Sequence, residues 1–143
     1  MIVVDASVWV SRLFDADVNH EASRRWLVDQ VANAVPLIGP ALLLPEVAGA
    51  ISRRSARPRL GRVAIAMLRR IPTLRLVSID EQGAVIASEL AARLALRGAD
   101  AVYVATAHIL GVPLVTWDAE QRDRGGRVIA VRTPADADSR PAD

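Results

Sequence analysis

Four carboxylates carry most of the chemistry this sequence offers: Asp5, Glu46, Asp100 and Asp118. Asp5 follows the apolar run Ile2-Val3-Val4, and Asp118 comes two residues after the apolar stretch that ends at Thr116. Asp100 opens one helical pattern, and Glu46 lies in the first turns of another. Acids this far apart in sequence meet only if the fold brings the ends of their elements to one crevice. Crowded carboxylates repel, so one of them holds its proton unless a cation intervenes. Ligation by oxygen alone, without His or Cys, points to a hard divalent ion, Mg²⁺ or Mn²⁺, rather than to zinc. Taken singly, most of these acids have an ordinary structural role as well. Asp100 reads equally as a helix N-cap worth about 1 kcal/mol, Asp118 as the closure of an Asx-turn, and Glu46 as a solvated helix residue. Asp5 is harder to explain in that way. A charge at the end of a buried strand costs several kcal/mol unless it is paired, and the nearest base, Arg12, stands seven residues on.

The elements that position these acids alternate in type. Residues 2–4 are a short β-branched run that reads as a buried strand. A helical pattern starts at Ser7, and residues 20–33 continue it with Trp26, Leu27 and Val31 clustered on one side. Residues 36–40 form a very short strand fenced by prolines. Residues 42–55 are a helix with Pro45 in its first turn and Val47, Ala50 and Ile51 as an apolar stripe. Residues 60–70 make a basic helix and 74–79 a strand. Residues 81–97 are the longest helix, with Gly98 as its expected stop. A helix over 100–110, strands over 112–116 and 128–131, and a frayed polar tail over 134–143 complete the chain. Short apolar strands alternating with helices predict an α/β fold with a mostly parallel sheet covered on both faces. Ligands of such sheets bind beyond the carboxyl ends of the strands, where these acids stand.

Composition narrows the function classes. The chain has 143 residues, 52% hydrophobic and 24% charged, which is one domain with one core. It contains no Cys, which removes disulfides, thiolate metal sites and thiol catalysis, and fits a reducing compartment. All 18 basic residues are Arg. Phosphoaspartate chemistry, of the receiver or haloacid-dehalogenase kind, usually sets a lysine beside the reactive aspartate and is excluded on that ground. A phosphate-binding loop with its Lys-Ser/Thr pair is also missing. The start resembles no signal peptide, and neither apolar stretch, 31–51 or 101–117, reads as a membrane span, so a cytoplasmic protein is expected.

Charge is distributed unevenly. Eight Arg and no acid lie between positions 53 and 75, which leaves ten Arg against sixteen acids elsewhere, so a +8 segment sits in a chain that is otherwise −6. A positive face beside an acidic crevice suits a polyanion gripped by its phosphates and cut at a metal. Arg53, Arg54, Arg57, Arg59 and Arg62 are the candidates for contact with such a polyanion, since Arg grips phosphate and stacks on unpaired bases. The alternative is a solvated helix face. His20 and His108 read as structural residues, and Trp9, Trp26 and Trp117 as core or interface anchors, with contact to a base as the alternative for Trp117.

Four fragments, in order, resemble the PIN-domain ribonucleases, and within them the small VapC-type toxins of toxin–antitoxin pairs. They are Val4-Asp5-Ala6-Ser7-Val8, Pro45-Glu46-Val47, residues 98–107 (GADAVYVATA), and Leu114-Val115-Thr116-Trp117-Asp118. The resemblance implies a three-layer α/β/α sandwich with a central, mostly parallel sheet of about five strands, forming one PIN-like domain over 1–133. It also implies a Mg²⁺ site made by Asp5, Glu46, Asp100 and Asp118, with Asp123 as a competitor for the last place. Asp5 and Asp100 would bind the ion directly, and Glu46 and Asp118 would complete the shell or hold a second ion. Ser7 and Thr116 would position water or phosphate, or else cap a helix and fill a strand. Further implied are an RNA substrate cut to 5′-phosphate and 3′-hydroxyl ends, a VapB-type antitoxin as partner, and a homodimer or larger toxin–antitoxin assembly. The competing expectation is a PIN-like module that binds RNA or protein without cutting.

Overall fold

The computed structural model describes residues 1–137. Five parallel strands form one sheet in the order β3-β2-β1-β4-β5: β1 (Ile2–Val4), β2 (Leu37–Pro40), β3 (Leu74–Val77), β4 (Leu114–Val115) and β5 (Val131–Arg132). The central strands are buried almost throughout, as their unbroken apolar runs require, whereas edge strand β3 is half exposed. The helices fall into two sets. On one side α1 (Ala6–Leu13) packs against α2 (His20–Ala32) and α3 (Leu43–Ser55), α3 against α4 (Pro58–Leu68), and α2 against the short α8 (Pro134–Ala137). On the other, α6 (Gly98–Leu110) packs against α5 (Glu81–Leu94), β1, β2 and α7 (Ala119–Gly125). This is the three-layer sandwich expected, and its core is aliphatic apart from Trp9, Trp26 and Tyr103.

The packing of α4 on α3 depends on one glycine. A Cβ on Gly61 of α4 would stand 2.6 Å from the Ala48 carbonyl oxygen and collide with the Ser52 hydroxyl, both on α3. Only a residue without a side chain lets these backbones approach so nearly.

Several boundaries differ from the sequence reading. Gly98 does not stop α5: that helix ends at Leu94, Ala95 takes the left-handed turn at φ 52°, and Gly98 opens α6. Helix α7, which the sequence reading did not include, is nucleated by Asp118, whose side chain accepts from the Gln121 N–H. The first four residues of the expected polar tail form α8. A reciprocal pair of bonds caps it, Thr133 N–H to Asp136 Oδ2 at 2.9 Å and Asp136 N–H to Thr133 Oγ1 at 3.1 Å. The rest of that tail, 138–143, lies outside the described residues.

Candidate active site

The chain runs outward from β1 through β2 to β3, then returns to the other side of β1 with β4. The carboxyl ends of β1 and β4 therefore mark the point where strand order reverses, the usual place for a ligand in such a sheet. Asp5 stands at the first of these ends and Asp118 just past the second. The first turns of α3 and α6 bring Glu46 and Asp100 to the same place.

Each acid is held by its own scaffold. Asp5 caps α1, its Oδ2 accepting from the Ser7 N–H at 2.9 Å and from the Thr116 hydroxyl at 3.2 Å. Glu46 Oε2 accepts from the Tyr103 phenol at 2.8 Å. Arg97 spans the other two, donating from Nε to Asp100 Oδ2 and from a terminal nitrogen to Asp118 Oδ2, both at 2.7 Å. The second oxygen of Asp118 accepts from the Gln121 N–H at 2.7 Å. Ser7 and Thr116 are committed as well. Their hydroxyls lie 3.3 Å apart, Ser7 Oγ accepts from the Trp117 N–H and Thr116 Oγ1 from the Asp118 N–H, each at 3.0 Å. Both therefore fix the β4–α7 turn against Asp5. The N-cap alternatives weighed for Ser7 and Asp100 resolve differently: Asp5 is the cap of α1, and Arg97 occupies the cap position before α6.

Glu46 and Asp100 sense the charges of the neighbouring acids. Burial pushes the Glu46 carboxyl above its ordinary value, and the charges of Asp5 and Asp100 push the same way against the Tyr103 hydrogen bond. Asp100 is also raised, chiefly by burial and then by Asp118 and Asp5, in opposition to Arg97. The buried Tyr103 phenol is raised far beyond its ordinary range, first by burial and then by Asp5 and Glu46, and so stays protonated. All these donors are carboxylate oxygens, and their shared negative field is what a hard divalent cation neutralises. The donor set thus fits such an ion by its chemistry. Among the described residues, however, no three acids or histidines are drawn into a ready coordination sphere. The cation between two of them is Arg97.

The remaining candidates are placed as follows. Asp123 lies on α7, exposed and paired with Arg127 at 3.5 Å. Arg53 and Arg54 line a cavity next to Glu46, whereas Arg57, Arg59 and Arg62 are exposed on or just before α4 and do not line it. His20 Nδ1 lies 3.0 Å from the Ser11 carbonyl, and His108 is in the last turn of α6. The sequence reading missed Arg97 and Tyr103. Their signal was the spacing: Tyr103 stands three residues after Asp100 on the same side of α6, and Arg97 three residues before it, at the cap of that helix.

Comparison with known proteins agrees with this architecture. No match was found among curated proteins. Among solved structures, the fold is similar to the Mycobacterium tuberculosis VapC20 toxin, described as cleaving the sarcin–ricin loop, with 22% identity and a TM-score of 0.72 over 86% of this chain and 94% of that one. It is similar to FitAcB from Neisseria gonorrhoeae, with 20% identity and a TM-score of 0.71 over 94% and 99% of the two chains. It is also similar to VapBC2 from Rickettsia felis bound to a fragment of promoter DNA, with 12% identity and a TM-score of 0.70 over 93% and 98%. The PIN domain family model matches residues 2–126, and the chain belongs to the PIN domain family.

Proposed function

We propose that the protein is a Mg²⁺-dependent endoribonuclease that serves as the toxin of a toxin–antitoxin pair in the cytoplasm. One observation carries the reading: in a PIN-domain chain, Asp5, Glu46, Asp100 and Asp118 converge where strand order reverses, near enough that Asp5 and Asp100 help raise Glu46, and Asp5 and Asp118 help raise Asp100. Asp5 and Asp100 would hold the ion, with Glu46 and Asp118 completing the site. When bound, Mg²⁺ (or Mn²⁺) acidifies water and neutralises charge on the phosphoryl and leaving oxygens. Glu46, the carboxyl pushed up by burial, is suited to take a proton from the attacking water and pass it on. Ser7 and Thr116 keep Asp5 aimed. Substituting Asp5→Asn or Asp100→Asn should abolish Mg²⁺-dependent RNA cleavage, and cleavage at the unmutated rate would refute the assignment.

The antitoxin reading is supported by an apolar groove of about 430 Å³ between α1, α2 and α4. Val28 and Met67 stand half exposed in it, as expected of a surface awaiting an amphipathic segment. The similarity to the VapBC and FitAcB proteins supports the same partner class and a dimeric or larger assembly. Among the described residues, no helix is long and apolar enough to cross a membrane.

A second reading, a PIN module that binds without cutting, is favoured by the guanidinium of Arg97 across Asp100 and Asp118. A rise in melting temperature with Mn²⁺, together with RNA cleavage, separates the two, because a pure binding module shows neither.

A further inference from the structure

Beside the acids, α1, the turn before α2 and α3 enclose a cavity of about 620 Å³, a size that accepts a small ligand or a single nucleotide. Ser7 and Glu46 form its border with the acid cluster, and Asn19, Arg53, Arg54 and Trp117 line the remainder.

Trp117 is fixed at this wall. Its backbone N–H donates to Ser7 Oγ at 3.0 Å, and its indole N–H donates to Ser23 Oγ at 2.7 Å. The Ser23 hydroxyl in turn lies 2.7 Å from that of Ser11, and both serines are buried. Trp117 packs against the core and also lines the cavity, so packing and an open face coexist. Arg54 is already engaged, donating to Asp17 at 2.7 Å and lying 5.1 Å over the Phe14 ring. Arg53 and Asn19 differ from it. Among the described residues neither side chain makes a hydrogen bond or an ion pair, and Asn19 sits at the start of α2 without capping it. A rigid indole, an unspent guanidinium and an unspent amide around one cavity match the three parts of a nucleotide: base face, phosphate and base edge.

We propose that this cavity is the subsite for one unpaired nucleotide of a single-stranded RNA. The base stacks on Trp117, its edge hydrogen-bonds to Asn19, and its phosphate pairs with Arg53. The neighbouring phosphodiester then lies at Asp5, Glu46 and Asp100, so the proposal rests on the nuclease reading and gives it a substrate-positioning residue on each side.

The test uses the full chain in EDTA, where cleavage is off, titrated with hexaadenosine and hexauridine RNA while tryptophan emission is followed. Trp9 and Trp26 are each 1% exposed, so a change in emission reports Trp117. Quenching is expected with the unmutated protein and should vanish in Trp117→Phe. Arg53→Gln should weaken both hexamers about tenfold, the order of one lost phosphate or stacking contact. Asn19→Ala should instead change the ratio of the two affinities. Arg53 is exposed and Asn19 caps nothing, so these two variants decide the matter even if Trp117→Phe folds poorly. Quenching that persists in Trp117→Phe, or hexamer affinity indifferent to Arg53→Gln, overturns the subsite. If Mg²⁺-dependent cleavage is present but Trp117 does not respond, the subsite falls and the nuclease reading stands. If single-stranded RNA is neither bound nor cut, both fall.

Discussion

Arg97→Gln is the most informative single substitution. The guanidinium makes two contacts of 2.7 Å, one to Asp100 and one to Asp118, while about 64% of its own side chain stays in solvent. Ion pairs exposed to that degree are each worth about 0.2–1 kcal/mol, so the two together contribute about 1 kcal/mol. A divalent ion entering between these carboxylates must displace that guanidinium or tolerate its charge. Removing it should therefore tighten Mn²⁺ binding roughly fivefold or more, with the effect largest at low salt. The same change should lower the melting temperature in EDTA by about 3–5 °C, since the pairs are lost with nothing in their place. Isothermal calorimetry with Mn²⁺ on the unmutated and Gln proteins, at two salt concentrations, reads the first effect; thermal scans in EDTA read the second. Unchanged or weaker Mn²⁺ binding by Arg97→Gln would refute the competition and make Arg97 an organiser of the carboxylates. Absence of Mn²⁺ binding by either protein would refute the metal site itself.

Other outcomes follow from the same geometry. Glu46 and Asp100 are raised in the folded state, so folding favours their protonated forms: their stabilising contribution is complete in acid and is lost as pH climbs through the raised values. In EDTA, Glu46→Gln should consequently melt higher than the unmutated protein at pH 7.5, with the advantage disappearing towards pH 4; a constant difference across that range would contradict the sign. Tyr103→Phe removes the hydrogen bond that Glu46 accepts from the phenol, and should cost about 1–3 kcal/mol in urea unfolding at neutral pH and less in acid. Gly61→Ala should destabilise by about 1–3 kcal/mol despite alanine's better helix propensity, because the added carbon meets the Ala48 carbonyl oxygen on α3; urea midpoints decide it, and a gain in stability would show that α3 and α4 separate freely.

The sequence made the acids legible because each one follows a strand or opens a helix, positions that a parallel sheet collects at one rim. It also made β1 and the long amphipathic helices legible, since their periodicity is dictated by a buried face. What it hid was set by tertiary detail. Ala95, not Gly98, turns the chain between α5 and α6, and with Gly98 assigned to a helix stop the role of Arg97 just before it was invisible. Helix α7 carries the sequence Ala-Glu-Gln-Arg-Asp-Arg-Gly, without an apolar stripe, and starts because Asp118 caps it. Asp118 caps α7 with one oxygen, accepting from the Gln121 N–H, and faces Arg97 with the other. The basic segment was legible as charge only. Its division into Arg53 and Arg54 at the cavity and Arg57, Arg59 and Arg62 away from it depends on where α3 ends and α4 begins.

The way Asp5 and Glu46 are anchored separates foldability from chemistry. Both bonds to Asp5 fall on Oδ2, and the phenol bond to Glu46 falls on Oε2. An amide retains one oxygen of the same shape, so Asn or Gln can accept those bonds while giving up the negative charge. Loss of charge at these two positions then leaves the architecture standing, and a silenced protein of this kind would still be available to every partner that reads its surface rather than its pocket.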